Sequence, residues 1–150
     1  MKVFADTSAL CALYREQENS AKAEAVIKRL AGPLCISTLV VLEFRQSARL
    51  QIYRFSKDRR QGFSAAEATR MLAKLESNMA AGALVTPPVE WPDVYSIAER
   101  LSERHTHAGG HRTLDVLHVA TALHLGTKKF VTLDSNQSAL ARAVSLAVSP

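Results

Sequence analysis

Four of the fourteen acidic residues stand in apolar stretches of the sequence, where an ionised carboxylate is out of place: Asp6, Glu43, Asp115 and Asp134. A carboxylate in such a position costs several kcal/mol unless it is paired, hydrogen-bonded or bound to a metal. Each one alone has a structural explanation, because Asp6 and Asp134 can cap helices and Asp115 lies one turn after Arg112. Four in one short chain, with Arg112 as the one obvious partner, indicate a shared site.

Converging carboxylates suit hard divalent cations such as Mg²⁺, which prefers oxygen ligands. A cation held in this way can activate water and stabilise charge on a phosphate under attack. The sequence has no Gly-x-Ser-x-Gly, Gly-x-x-x-x-Gly-Lys or Gly-x-Gly-x-x-Gly motif, so a hydrolytic water would supply the nucleophile. Asp6, Asp115 and Asp134 lie at predicted element ends and are the stronger candidates for metal ligands. Glu43 lies in the middle of a predicted helix, and we expect it to complete the acidic pocket as its fourth carboxylate.

A concentrated basic stretch carries the excess charge of the chain. The net charge is +5, and between residues 45 and 60 six basic residues face one acid, Asp58. The six are Arg45, Arg49, Arg54, Lys57, Arg59 and Arg60. Such a stretch is typical of polyanion binding, and Arg45, Arg49, Arg54 and Lys57 are the candidate RNA contacts. A solvated helix face is the alternative, and Tyr53 and Phe55 can either stack on unpaired bases or pack in the core.

The histidines offer a weaker signal. His105, His107 and His111 fall in a predicted loop at 105–112 whose spacing matches no compact zinc motif. His118 lies one turn after Asp115, where it can face the acidic pocket or pack as a supporting residue. We therefore expect no zinc site.

Short apolar strands alternate with helices along the chain. Strands are predicted at 2–5, 34–37, 83–86, 129–133 and 145–148. Helices are predicted at 7–14, 20–30, 39–55 with Thr38 as N-cap, from Ser64 to 81, at 92–104, 113–125 and 135–143. This alternation is typical of a mainly parallel sheet covered by helices on both faces. Ligands in such sheets bind outside the carboxyl ends of the strands, where Asp6, Ser37 and Asp134 fall.

Length and composition favour one folded domain over residues 1–150. Apolar residues make up 47% of the chain and charged residues 22%, which excludes a disordered chain. The apolar runs are too short to cross a bilayer, and the opening residues reach Asp6 too soon for a signal peptide. We expect a cytoplasmic protein without membrane contact.

The four acidic segments resemble, in order, the motifs of PIN domains. Asp6-Thr7-Ser8-Ala9-Leu10 after a strand resembles the first motif, and Ser37-Thr38 leading into Val41-Leu42-Glu43-Phe44 resembles the second. The segment from Arg112 to Ala122 resembles the third, and Phe130-Val131-Thr132-Leu133-Asp134 the fourth. Each motif is short, but all four in order span the chain and are specific together. The size is most similar to that of the VapC toxins of bacterial toxin–antitoxin pairs.

The resemblance implies a three-layer α/β/α sandwich and an endoribonuclease dependent on Mg²⁺ or Mn²⁺. Asp6, Asp115 and Asp134 would contribute to metal binding, while Glu43 would orient a metal-bound water or act as general base. Supporting polar groups would be Thr7, Ser8, Thr132 and, as the partner of Asp115, Arg112. The resemblance also implies a homodimer inhibited by a small antitoxin. The segment at 54–62 departs from such compact domains by its length and basic charge, and contact with RNA or with antitoxin both remain open there.

Two other functions are consistent with part of the pattern. Haloacid dehalogenase-like phosphatases also place an aspartate after the first strand, but they require a second aspartate where this chain has Ser8, and a convincing lysine motif is missing. A catalytically silent module that binds RNA or antitoxin would show gaps in the acidic set, and this sequence has none.

Overall fold

A five-stranded parallel sheet forms the centre of the computed structural model, which describes residues 2–15, 21, 25, 27–30 and 32–149. The strands are β1 (Val3–Ala5), β2 (Leu34–Cys35), β3 (Leu84–Val85), β4 (Lys129–Val131) and β5 (Ala147–Ser149). The helices placed on them are α1 (Thr7–Tyr14), α2 (Thr38–Lys57), α3 (Ala65–Ala80), α4 (Trp91–Gly109), α5 (Thr113–His124) and α6 (Ser135–Ala143).

The strand order puts the first strand in the middle of the sheet. The order is β3-β2-β1-β4-β5, and all four neighbouring pairs are parallel. The chain runs outward from β1 to β3 and then returns to the other side of β1 through β4. The direction of winding therefore reverses beside β1, and parallel sheets bind ligands at the carboxyl edge of such a reversal. Asp6 follows β1 directly at this edge.

The core explains why the strands are so apolar. All three residues of β1 are buried, and the rings of Phe4 and Phe130 stack between β1 and β4 with centroids 5.7 Å apart. A strand covered by helices on both faces buries every side chain, so it reads as a continuous apolar run. The predicted three-layer α/β/α class with a parallel sheet is confirmed.

Several predicted boundaries are wrong, most of them by one turn or less and the end of α4 by five residues. Ser37, not Thr38, caps α2, since its hydroxyl accepts a hydrogen bond from the Val40 amide at 3.1 Å. The predicted loop at 105–112 is helical as far as Gly109, so α4 carries two of the three clustered histidines. The helix predicted at 20–30 lies for the most part outside the described residues. Among the helices that are described, none is long and apolar enough to cross a membrane.

Candidate active site

Asp6 is fully buried at the point where β1 passes into α1. Its Oδ1 accepts hydrogen bonds from the Ser8 hydroxyl at 2.7 Å and from the Ala9 amide at 3.0 Å, and its Oδ2 accepts one from the Thr132 hydroxyl at 2.5 Å. Burial raises the pKa of Asp6 above its ordinary value, although these hydrogen bonds offset part of the effect. Within the described residues no ion pair joins Asp6 to a basic side chain.

Two hydroxyl groups connect Asp6 to the segment before Asp134. Besides donating to Asp6, the Thr132 hydroxyl accepts a hydrogen bond from the Asp134 amide at 3.0 Å. The Ser8 hydroxyl accepts one from the Leu133 amide at 2.9 Å and lies 3.1 Å from the Thr132 hydroxyl. The carboxyl ends of β1 and β4 are thereby held in one network, as the parallel register of these strands requires.

Arg112 lies between the other two predicted metal ligands. Its Nε is 3.3 Å from Asp115 Oδ2, and its Nη2 is 3.7 Å from Asp134 Oδ2. The second oxygen of Asp134 caps α6 by accepting hydrogen bonds from the amides of Asn136 and Gln137. The Arg112 side chain is 78% exposed, and its single positive charge is shared between two carboxylates from different elements.

Glu43 on α2 meets His118 on α5. The His118 Nε2 lies 2.8 Å from Glu43 Oε2, and the imidazole is almost completely buried. Burial raises the pKa of Glu43, but the hydrogen bond and charge of His118, together with Thr7 and Arg112, lower it by more. The net pKa is therefore below its ordinary value. The Thr7 hydroxyl is itself buried, and among the described residues it has no partner in full hydrogen-bonding geometry.

His118 was not among the predicted site residues, although its position left open whether it faces the acidic pocket, and its contact with Glu43 places it beside one of the four acids. Its Nδ1 is buried and has no hydrogen-bond partner in the described part of the chain. The signal in the sequence was its position one helical turn after Asp115, which places both side chains on one face of α5 but does not identify Glu43 as its partner.

The four acids do not form a compact cluster, since Arg112 joins only Asp115 and Asp134. No group of three His, Cys, Asp or Glu side chains converges on one point within the described residues. The donor set nevertheless consists of carboxylate and hydroxyl oxygens, and Mg²⁺ characteristically binds through one or two carboxylates while keeping several waters. A guanidinium already occupies the space between Asp115 and Asp134, so a positive charge is accommodated there. These residues fit a hard cation with few protein ligands.

The basic stretch divides into paired and unpaired cations. Arg45 forms an ion pair with Glu76 on α3, and Arg60 pairs with Asp58. Arg49, Arg54 and Lys57 have no carboxylate partner among the described residues.

The two aromatic residues of this stretch differ in burial. Tyr53 is 59% exposed, so the alternative of core packing is wrong for this residue. Phe55 is half-buried, with the Arg59 guanidinium 5.2 Å from its ring centroid. Of the two rings, Tyr53 is the one open to a ligand.

The sequence matches the PIN domain family over residues 3–143, and the chain belongs to this family. The match covers all four acidic segments, which confirms the resemblance drawn from their order. A comparison with curated protein sequences gave no match.

Solved structures share the fold at low sequence identity. The chain is similar to VapC20 of Mycobacterium tuberculosis, described as a sarcin-ricin loop cleaving toxin, with a TM-score of 0.69, 19% identity, and coverage of 99% of this chain and 100% of that one. FitAcB from Neisseria gonorrhoeae gives a TM-score of 0.67 at 18% identity, covering 99% and 96%. VapBC-5 from Mycobacterium tuberculosis, a member of the VapBC family of toxin–antitoxin systems, gives 0.59 at 19%, covering 99% and 98%. At these identities the likeness establishes the fold.

Proposed function

We propose that this chain is an endoribonuclease dependent on Mg²⁺ or Mn²⁺ and the toxin of a toxin–antitoxin pair. The observation that carries the proposal is the buried Asp6 carboxylate, which has hydrogen bonds but no ion pair among the described residues. A carboxylate in this state is costly for the fold, and a divalent cation would supply the missing positive charge. Membership of the PIN family makes phosphodiester cleavage the reaction that this site would perform.

Asp6, Asp115 and Asp134 would hold the cation, directly or through water. When bound, the cation lowers the pKa of a coordinated water and neutralises charge on the phosphate. The contribution of the chain is to position these ligands. Ser8 and Thr132 fix both oxygens of Asp6. Arg112 holds the facing oxygens of Asp115 and Asp134, and its exposed guanidinium can also contact a phosphate.

Glu43 would receive the proton of the attacking water or orient that water. Its lowered pKa keeps the carboxylate ionised at neutral pH, which is the state that accepts a proton. The His118 Nε2 lies 2.8 Å from one oxygen of Glu43. This contact fixes the Glu43 side chain and therefore also the direction of its other oxygen. Thr7 follows Asp6 in the sequence and helps to lower the Glu43 pKa, so its side chain lies beside Glu43.

A small antitoxin and a second copy of the chain are the proposed protein partners, and the cytoplasm the proposed location. Support comes from the similar proteins: VapC20 is described as a toxin, and VapBC-5 as a member of a toxin–antitoxin family. Coexpression with the product of an adjacent small gene tests this role. We expect a stable complex that suppresses cleavage, and a neighbouring gene whose product neither binds nor inhibits would argue for a solitary nuclease.

Cleavage of RNA with and without divalent cations tests the nuclease function. We expect activity with Mg²⁺ or Mn²⁺, none in excess EDTA, and none in Asp6→Asn. Asp93→Asn is the matched control, since it makes the same change at an exposed position in the first turn of α4. Full activity in EDTA, or an active Asp6→Asn protein, would refute the proposal. Absence of cleavage under every condition would favour a silent binding module.

A further inference from the structure

We propose that one side of α2 binds single-stranded RNA and leads it to Glu43. We call this side the α2 stripe and define it as Leu50, Tyr53, Arg54 and Lys57. The inference rests on the proposed nuclease function and adds to it the form of the substrate and the path by which it reaches the acids.

Helix geometry places the α2 stripe in line with Glu43. With 3.6 residues per turn, Leu50, Arg54 and Lys57 project within about 40° of Glu43, and Tyr53 within about 80°. The helix is continuous from Thr38 to Lys57, and at a rise of 1.5 Å per residue the stripe extends about 21 Å from Glu43. The buried residues of α2 are turned in the opposite sense from Glu43, by about 60° for Val40 and about 100° to 160° for Phe44, Ala48 and Val41.

The cations of the stripe are free of carboxylate partners. Arg54 and Lys57 are exposed and form no ion pair within the described residues, whereas Arg45 and Arg60 are each paired with an acid. The pocket itself carries four acidic side chains and repels a phosphate backbone. Unpaired cations beside it are what an approaching polyanion requires, because phosphate contacts supply most of the nonspecific affinity for nucleic acids.

An exposed aromatic ring favours single strands over duplex. Tyr53 is 59% exposed, and the Lys57 ammonium lies 5.4 Å from the ring centroid. A ring in this setting can stack on an unpaired base while the neighbouring ammonium binds the adjoining phosphate. Bases within an A-form duplex are already stacked and are not available to a tyrosine.

The same observations decide between RNA and a protein partner. A protein partner would be the competing occupant of an exposed helix side. The two unpaired cations and the open ring lie on the side of the helix that also carries Glu43, so a strand bound along them would run towards one of the four acids. We therefore assign the stripe to RNA.

Binding of labelled RNA in EDTA tests the path separately from cleavage. The probe is a fluorescein-labelled single strand of about 20 nucleotides, longer than a typical single-strand site, and anisotropy gives Kd as a function of KCl. In Arg54→Gln/Lys57→Gln we expect the slope of log Kd against log salt to fall by about 1.4, because each phosphate contact to a single strand contributes about 0.7. The matched control is Arg100→Gln/Arg104→Gln on α4, which removes the same charge from another exposed surface and should leave the slope unchanged.

The ring is tested by a second pair of variants. Tyr53→Ala should weaken single-strand binding by about 5- to 150-fold, as expected for the loss of one stacked base. Tyr53→Phe should retain the affinity, and a hairpin duplex should be insensitive to both changes. Circular dichroism verifies that these surface variants are folded.

Two results would contradict the proposal that the α2 stripe binds RNA. Equal losses in the stripe and control pairs would show a response to net charge alone. Wild-type affinity in the Arg54/Lys57 variant would overturn the RNA path and assign the stripe to a protein partner. Failure of the nuclease proposal is recognised separately, because it appears as absence of cleavage by the wild-type protein with Mg²⁺, whatever the binding assay shows.

Discussion

Replacing Asp6 by asparagine should stabilise the metal-free protein while abolishing cleavage. Burial raises the pKa of Asp6, so the folded protein binds the proton more tightly than the unfolded chain does. Stability therefore falls as the pH rises from the ordinary carboxyl value through the raised folded value, and it stays reduced at neutral pH. Asparagine removes the buried charge and keeps an oxygen that can accept the bonds from Ser8 and Ala9, since asparagine caps helices as well as aspartate does.

The size of the effect is set by two opposing contributions. Desolvation of an ion costs several kcal/mol, and each hydrogen bond to a charged group returns about 1.5–3 kcal/mol. Because three hydrogen bonds leave the Asp6 pKa still raised, the cost of desolvation is the larger contribution, and we expect a net gain in stability. For a chain of this size each kcal/mol of gain corresponds to a rise in Tm of about 2 to 4 °C.

Thermal unfolding in EDTA and then in Mg²⁺ measures both halves of the prediction. In EDTA at pH 7 the variant should melt above the wild type, and the difference should shrink as the pH falls towards the ordinary carboxyl pKa. Added Mg²⁺ should raise the Tm of the wild type more than that of the variant. Asp6→Ala is the control for the lost cap and should cost about 0.5–2 kcal/mol. A variant less stable than the wild type in EDTA would show that Asp6 is a structural cap.

Three further changes probe the site and its supports. His118→Ala should raise the pKa of Glu43, since His118 lowers it, and so move the acidic limb of the kcat/KM profile to higher pH. We expect kcat/KM to fall by about 10- to 100-fold. An unmoved limb would contradict the assigned role, and His118→Gln should restore part of the activity. Arg112→Gln should lower the Mg²⁺ concentration needed for half of the thermal stabilisation by up to about 5-fold, because an exposed guanidinium competes for the same carboxylates. Weaker Mg²⁺ binding would argue against this competition. Gly62→Ala should cost more than about 2 kcal/mol in urea unfolding, because its φ of +63° strains an alanine and a Cβ would overlap a backbone carbonyl of α2. Gly82→Ala, at a φ of +73° with open space around it, should cost less.

Helix starts were predictable wherever a carboxylate follows a strand. The bounds of α1 and α6 agree with the prediction, because Asp6 and Asp134 accept hydrogen bonds from the first free amides and so fix the first turn. The end of α4 was not predictable in the same way. Two successive glycines indicated a loop, yet only Gly110 takes the left-handed conformation that ends the helix, and Gly109 remains in its last turn.

The sequence was enough to predict which four acids belong to the candidate site, but not which residues they contact. An acid in an apolar segment is visible without a structure. The pairing of Glu43 with His118 joins positions 75 residues apart, and the Arg112 guanidinium bridges α5 to the residue before α6. Such contacts depend on strand order, and several orders satisfy the same alternation of strands and helices. The metal-ligand roles of the three aspartates stay predictions until cation binding is measured.

The hydrogen bond between Thr132 and Asp6 bears on when the protein becomes active during its own synthesis. The two residues are 126 positions apart, so β4 must emerge and pair beside β1 before Asp6 gains its partner. At about 5–20 residues per second, translation of that interval takes about 6 to 25 s. A nascent chain that has not yet exposed β4 therefore carries no assembled pocket, and the ribosome that makes this proposed nuclease is spared its activity until β4 has emerged.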